Sequence, residues 1–152
     1  MSLHDRIEDD LHAAMKARDK QRTSALRMVV AALKNRAVEE GLGPQGRLDD
    51  AIVQQVLTTE VKRRKEAATS FEAGGRPESA AAERAEAQLY ATYLPAQLDD
   101  EELEAIVTTV VERLGADGPQ AMGQVMKATM AEVAGRAEGA RVSALVKQRL
   151  GA

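Results

Sequence analysis

Apolar residues recur along this chain at intervals of roughly three and four, a spacing that predicts helices throughout. Leu3, Ile7, Leu11 and Met15 mark a first helix behind Ser2 as its N-cap. A charged link at Arg18–Arg22 leads to a second, from Thr23 to Glu40, with Leu26, Val29, Val30 and Leu33 facing inward. Gly41, Gly43, Pro44 and Gly46 end it, because neither residue type continues a helix cheaply. Asp49 caps the third helix, with Leu48 and Val53 placed as a hydrophobic staple. Ile52, Val56, Leu57 and Val61 then repeat to about Ala73, where Gly74-Gly75 closes the run. Pro77 opens an alanine-rich fourth helix carrying Ala80, Ala81, Ala82, Ala85, Ala87 and Ala91, small residues that favour helix and close approach.

The sharpest punctuation falls after Leu94. Pro95 stops one helix, and Leu98-Asp99-Asp100-Glu101-Glu102-Leu103 starts another, with Asp99 as N-cap, Glu102 three residues on, and a Leu98–Leu103 staple. That predicts a domain boundary, with residues 1–94 as an N-terminal four-helix domain and 95–152 as a C-terminal three-helix domain. The fifth helix buries Leu103, Ile106, Val107, Val110, Val111 and Leu114, and ends at Gly115. Beyond Asp117-Gly118-Pro119, Met122, Val125, Met126, Met130 and Val133 form one stripe, and Val142, Leu145, Val146 and Leu150 another. The Gly135–Gly139 break between them makes a helical hairpin. The fold class is all-α.

Charge sharpens this division. Residues 1–94 are balanced, 95–117 carry a net −6, and 118–152 a net +3. The total of −3 argues against indiscriminate nucleic-acid binding but leaves room for a local basic patch. One Phe, two Tyr and no Trp leave little for base stacking. Tyr90 and Tyr93, beside Leu94 and Pro95, are expected to pack the domain junction. The absence of Cys excludes thiol chemistry and disulfides. No apolar run approaches the roughly 20 residues of a membrane span, so a cytoplasmic chain without a membrane partner is expected.

Candidate chemistry is sparse. His4, Glu8 and His12 lie one turn apart, but a zinc site needs further converging ligands, so a solvated helix face is the better reading and no metal is assigned. The glycine-rich loop at Gly41–Gly46 lacks a preceding strand and a Gly-Lys-Ser/Thr ending, so it is not read as a phosphate loop. No Ser–His–Asp set, Cys nucleophile or isolated carboxylate pair suggests catalysis, and no cofactor is implied. The cluster Lys62-Arg63-Arg64-Lys65 wraps around its helix and reads mainly as solvated and paired with Glu60 and Glu66. Lys62 and Arg63, with Arg27 and Lys34, form a secondary basic patch if the second helix packs alongside.

The run Met122-Gly123-Gln124-Val125-Met126-Lys127, followed by Gly135-Arg136-Ala137, resembles the tail domain of GatB, a subunit of the tRNA-dependent amidotransferase. The Arg22–Met28 segment (RTSALRM), Glu60–Ala68 (EVKRRKEAA) and the junction Tyr93–Leu103 (YLPAQLDDEEL) are similar to the small YqeY family, which carries this tail as its second domain. The resemblance spans nearly the whole chain. It implies a tRNA-contacting tail, for which Lys127, Arg136, Arg141 and Lys147 are the phosphate-binding candidates and Gly123 and Gly135 the points of close backbone approach. It also carries the label of a carbon–nitrogen ligase with glutamine as amide donor, although the amidase subunit and the aminoacyl-activating part of GatB have no counterpart here. The alternative is a protein-interaction module in which the methionine stripe Met122, Met126 and Met130 and the alanine-rich fourth helix meet a protein partner.

Overall fold

The computed structural model of the chain describes residues 1–151. Seven α-helices and one short 3-10 turn make up the regular structure of the described residues, with no strand among them. Two compact units form, Met1–Leu94 and Pro95–Ala152. The first holds α1 (Leu3–Lys16), α2 (Lys20–Glu39), α3 (Asp50–Ala73) and α4 (Pro77–Ala91). The second holds α5 (Asp100–Leu114), α6 (Met122–Val133) and α7 (Gly139–Leu150).

Helix starts follow the capping chemistry. Ser2 accepts from the Asp5 N–H, Asp19 from Arg22, Asp49 from Ile52 and Asp99 from Glu102. Asp19 as N-cap makes Lys20–Arg22 the first turn of α2, so the charged link is shorter than its composition suggests. The Glu102 N–H holds the Asp99 carboxyl below the usual carboxylate range. At the far end of α2 the N–H groups of Gly41 and Leu42 fold back onto the carbonyls of Val38 and Ala37, closing the helix in a Schellman turn.

The first unit buries Ile7, Ala14, Leu26, Val29, Leu33, Val53, Leu57 and both tyrosines in one core. α1 departs from the expected stripe. Ile7 and Ala14 are buried, Leu3 and Leu11 only half so, and Met15 is 45% exposed. Successive i+4 steps overshoot a helical turn, so Met15 has rotated about 80° from Ile7, whereas Ala14 returns to within about 20° of it. His4 also departs from the solvated face expected of it. It is buried, and its Nδ1 accepts the Leu48 N–H at 3.2 Å, fastening α1 to the segment that enters α3. His12 is exposed.

α4 packs against α3 and buries Ala80, Ala87 and Tyr90, while α3 buries Ala68; the remaining alanines of α4 are exposed. Tyr90 donates its hydroxyl to the Ala25 carbonyl at 2.6 Å, tying α4 to α2. Tyr93 donates to Asp10 and lies under the Arg6 guanidinium at 5.0 Å. Both rings therefore belong to the core of the first unit. Burial, above all, pushes both hydroxyls above the ordinary phenol range.

Between α3 and α4 sits an ion cluster. Arg64 reaches Glu60 at 3.4 Å, Glu83 at 3.7 Å and Glu86 at 3.8 Å, and Arg63 adds a second contact to Glu60 at 3.1 Å. Acids outnumber cations here, and burial followed by repulsion from Glu83 raises the Glu86 pKa despite Arg64.

Two outcomes follow from this packing. Tyr90→Phe leaves the core filled but removes a buried hydrogen bond, and should cost about 1 kcal/mol. Tyr93 fluorescence during urea unfolding reads that unit selectively, because the second unit contains no aromatic residue. For Glu86 the charged form is disfavoured by folding. Glu86→Gln should therefore raise the melting temperature at neutral pH, and the gain should shrink as pH falls through the raised folded pKa toward the unfolded one. A melting-temperature difference that stays flat across the carboxylate range would contradict it.

Candidate nucleic-acid interface

The tail is built on a core of Leu98, Leu103, Val107, Val110, Val125, Val133, Val142 and Val146, with Met122 and Met126 half-buried against it. The buried line of α6 is Val125, Thr129 and Val133, each four residues on, which leaves Met130 38% exposed. Two of the three methionines thus serve the core.

The loop between α6 and α7 is held by the residues that precede α5. The Leu98 N–H donates to the Arg136 carbonyl at 2.7 Å, and the Leu98 carbonyl accepts from Arg141 Nη2 at 3.0 Å. Arg141 Nη2 also meets Asp100 at 2.9 Å, and Gln97 reaches the Gly135 carbonyl at 3.3 Å. Ala134 and Gly135 both adopt positive φ, 49° and 81°, which turns the chain out of α6. Arg136 folds back over that end, donating Nε to the Val133 carbonyl and Nη2 to the Glu132 carbonyl, both at 2.9 Å. It supplies hydrogen bonds that the last turn of a helix lacks.

The candidate cations therefore separate into two groups. Arg136 and Arg141 are half-buried and engaged in holding the hairpin together, while Lys127 and Lys147, with Arg149, are exposed and outside every ion pair of the described residues. Gly135 is accounted for by its left-handed turn. Gly123 is different. It sits in the first turn of α6 with helical backbone, is exposed, and a Cβ built there meets nothing within 4 Å. Gly139, which the sequence reading missed, has the same open surroundings in the first turn of α7. By contrast a Cβ at Gly46 would collide with Leu42. α4, α6 and α7 have no side-chain cap at the N-terminus, whereas α1, α2, α3 and α5 do, and of the three only α6 and α7 carry glycine in the first turn.

The secondary patch does not converge. Arg63 lines a groove between α2 and α3 with Arg36, Glu39 and Glu60. Arg27 and Lys34 stand on another side of α2 and do not line it, and Lys62 is exposed on α3.

A family model described as Yqey-like protein matches residues 4–150. The chain belongs to the YqeY-like family. A search of curated proteins finds no match to it. No helix of the described residues is long and apolar enough to cross a membrane.

The division among the tail cations of this YqeY-like chain can be measured. Arg136→Met and Arg141→Met should each destabilise the second unit by about 1–2 kcal/mol, since the first leaves two carbonyls without that donor and the second leaves the Leu98 carbonyl and the Asp100 carboxylate without it. Lys127→Ala and Lys147→Ala should stay within about 0.5 kcal/mol of the parent. Amide exchange of core positions such as Val125 and Val146 reads the second unit directly.

Proposed function

We propose that this chain is a non-catalytic binding module for structured RNA, tRNA foremost, which acts alongside tRNA-dependent amidotransferase-like systems. Its tail docks on phosphates by shape and charge. The observation that carries this reading is the pair of glycines at uncapped helix starts. Gly123 and Gly139 lie in first turns that no side chain caps, α6 following directly on the 3-10 turn Pro119–Ala121, and a Cβ at either glycine would meet nothing within 4 Å. Such an arrangement lets a phosphate approach backbone N–H groups closely, at the positive end of the helix dipole. Lys127 lies one turn beyond Gly123, and Lys147 and Arg149 supply free charge from α7. Backbone and lysine contacts of this kind favour affinity over base identity, which suits a chain with few aromatics.

The test pairs tRNA binding with stability. Labelled bulk tRNA, titrated with the protein and followed by fluorescence anisotropy, should bind more weakly as salt rises from about 50 to 200 mM. The Lys127→Glu, Lys147→Glu double variant should lose most of that binding and its salt slope. Gly123→Ala should move the two readouts in opposite directions, with a more stable helix but weaker binding. Binding that survives both changes, or none at low salt in the parent, would remove the tail from this role.

A further inference from the structure

Outside the tail, the most unusual surface is the outer side of α2. Leu26, Val29, Val30, Leu33 and Ala37 bury its inner side. Yet the opposite side is apolar too: Met28 is 39% exposed, Val38 54%, and Ala31 is exposed between them. With Ser24 and Asn35 they follow the alternating spacing of four and three that defines a helix-pairing seam, all within about 80° of one another around the axis. Leu42, 51% exposed in the closing turn, extends the line. At the other end the seam runs into an open groove of about 600 Å³ lined by Met15, Arg18, Lys20, Arg27 and Met28, with no acidic residue among its lining.

The charge beside the seam identifies what fits it. Lys20, Arg27 and Lys34 recur every seven residues along one flank, all exposed and in no ion pair of the described residues. The other flank holds buried Ala25, half-buried Ala32 and exposed Glu39, so only its last position carries a charge. Two copies of α2 pairing antiparallel would set this basic row against itself, and pairing parallel would give it a single acidic partner, Glu39 opposite Lys34, with Lys20 and Arg27 left facing alanines. A phosphate backbone would match the row but leave the methionine and valine seam uncovered. We propose that the outer face of α2 docks an amphipathic helix of a partner protein, one with apolar residues at heptad spacing and an acidic row beside them. The apolar seam supplies contact area and the charge row supplies register and selectivity.

This surface lies in the first unit, so the inference stands apart from the RNA reading of the tail. The probe is a synthetic four-heptad peptide with Leu at the seam positions and Glu on both flanks, whose own charge prevents self-pairing. A peptide with Lys on the flanks serves as control. Both are titrated into the isotope-labelled full chain and followed by amide shift changes. The acidic peptide should bind with changes concentrated in residues 20–42, and the basic one should not bind. Met28→Glu and Val38→Glu, both at exposed positions, should each weaken binding at least about tenfold. Arg27→Glu with Lys34→Glu should lose the acidic peptide and gain the basic one. The inference is overturned by an acidic peptide that fails to bind, by binding indifferent to Val38→Glu, or by a parent chain that dimerises through this face. It is likewise overturned if tRNA binding depends on Arg27 and Lys34 but not on Met28 or Val38.

Discussion

The tail depends on one residue being held from both sides. Leu98 gives its N–H to the Arg136 carbonyl and its own carbonyl to Arg141, while its side chain is buried against the tail core. The three helices it joins are 15, 12 and 12 residues long, lengths at which isolated helices are marginal in water. Apart from Thr129, their core contains aliphatic side chains and two half-buried methionines, which fill space but specify geometry weakly. Directional bonds at Leu98 supply what such packing lacks. They fix the start of α5 against the turn between α6 and α7, so a stretch near residue 98 sets the hairpin some forty positions away.

Arginine and lysine divide the work of the basic residues in both units. Arg136 and Arg141 each satisfy two acceptors from one planar head, and Arg64 spans three carboxylates between α3 and α4. Lys127, Lys147, Lys34 and Lys62 are exposed and unengaged. A guanidinium has donors arranged in a fork that matches paired acceptors, whereas an ammonium is a compact, strongly hydrated charge. The positive balance of the tail therefore overstates the charge available to an outside ligand. Its free share rests on the lysines and Arg149.

Most of the architecture was legible because it rests on local chemistry. Ser2, Asp49 and Asp99 cap the helices expected of them, and the Leu98–Leu103 staple stands at the start of α5. What was not legible depended on angle or on distant partners. Met15 and Met130 fit a generous three-or-four spacing but lie off the buried line once helical rotation accumulates. His4 reads as a surface residue until the Leu48 N–H, 44 positions away, arrives beside it. Arg136 and Arg141 carry the same letter as a surface cation, and only the carbonyls they meet distinguish them. Gly139 could have been found from sequence, as a glycine at the first position of a helix lacking a Ser, Thr, Asp or Asn cap.

The outer face of α2 shows why amphipathicity alone misjudges such helices. An apolar stripe on one side and polar residues on the other is the pattern of a helix with a single partner surface. Here the core stripe centred on Val29 and Leu33 is opposed by Met28, Ala31 and Val38, so the two nearly cancel and the helix reads as weakly amphipathic. Exposed apolar residues scattered singly over a surface need no special account. These are not scattered, for they share one line on one helix, and Met15 and Leu42 lie at its two ends. Exposed apolar area of that kind invites self-association. The row Lys20, Arg27 and Lys34 opposes it, because every copy presents these three cations along one flank and only Glu39 on the other to meet them. The same row that keeps like faces apart is what an acidic helix would need to find this one.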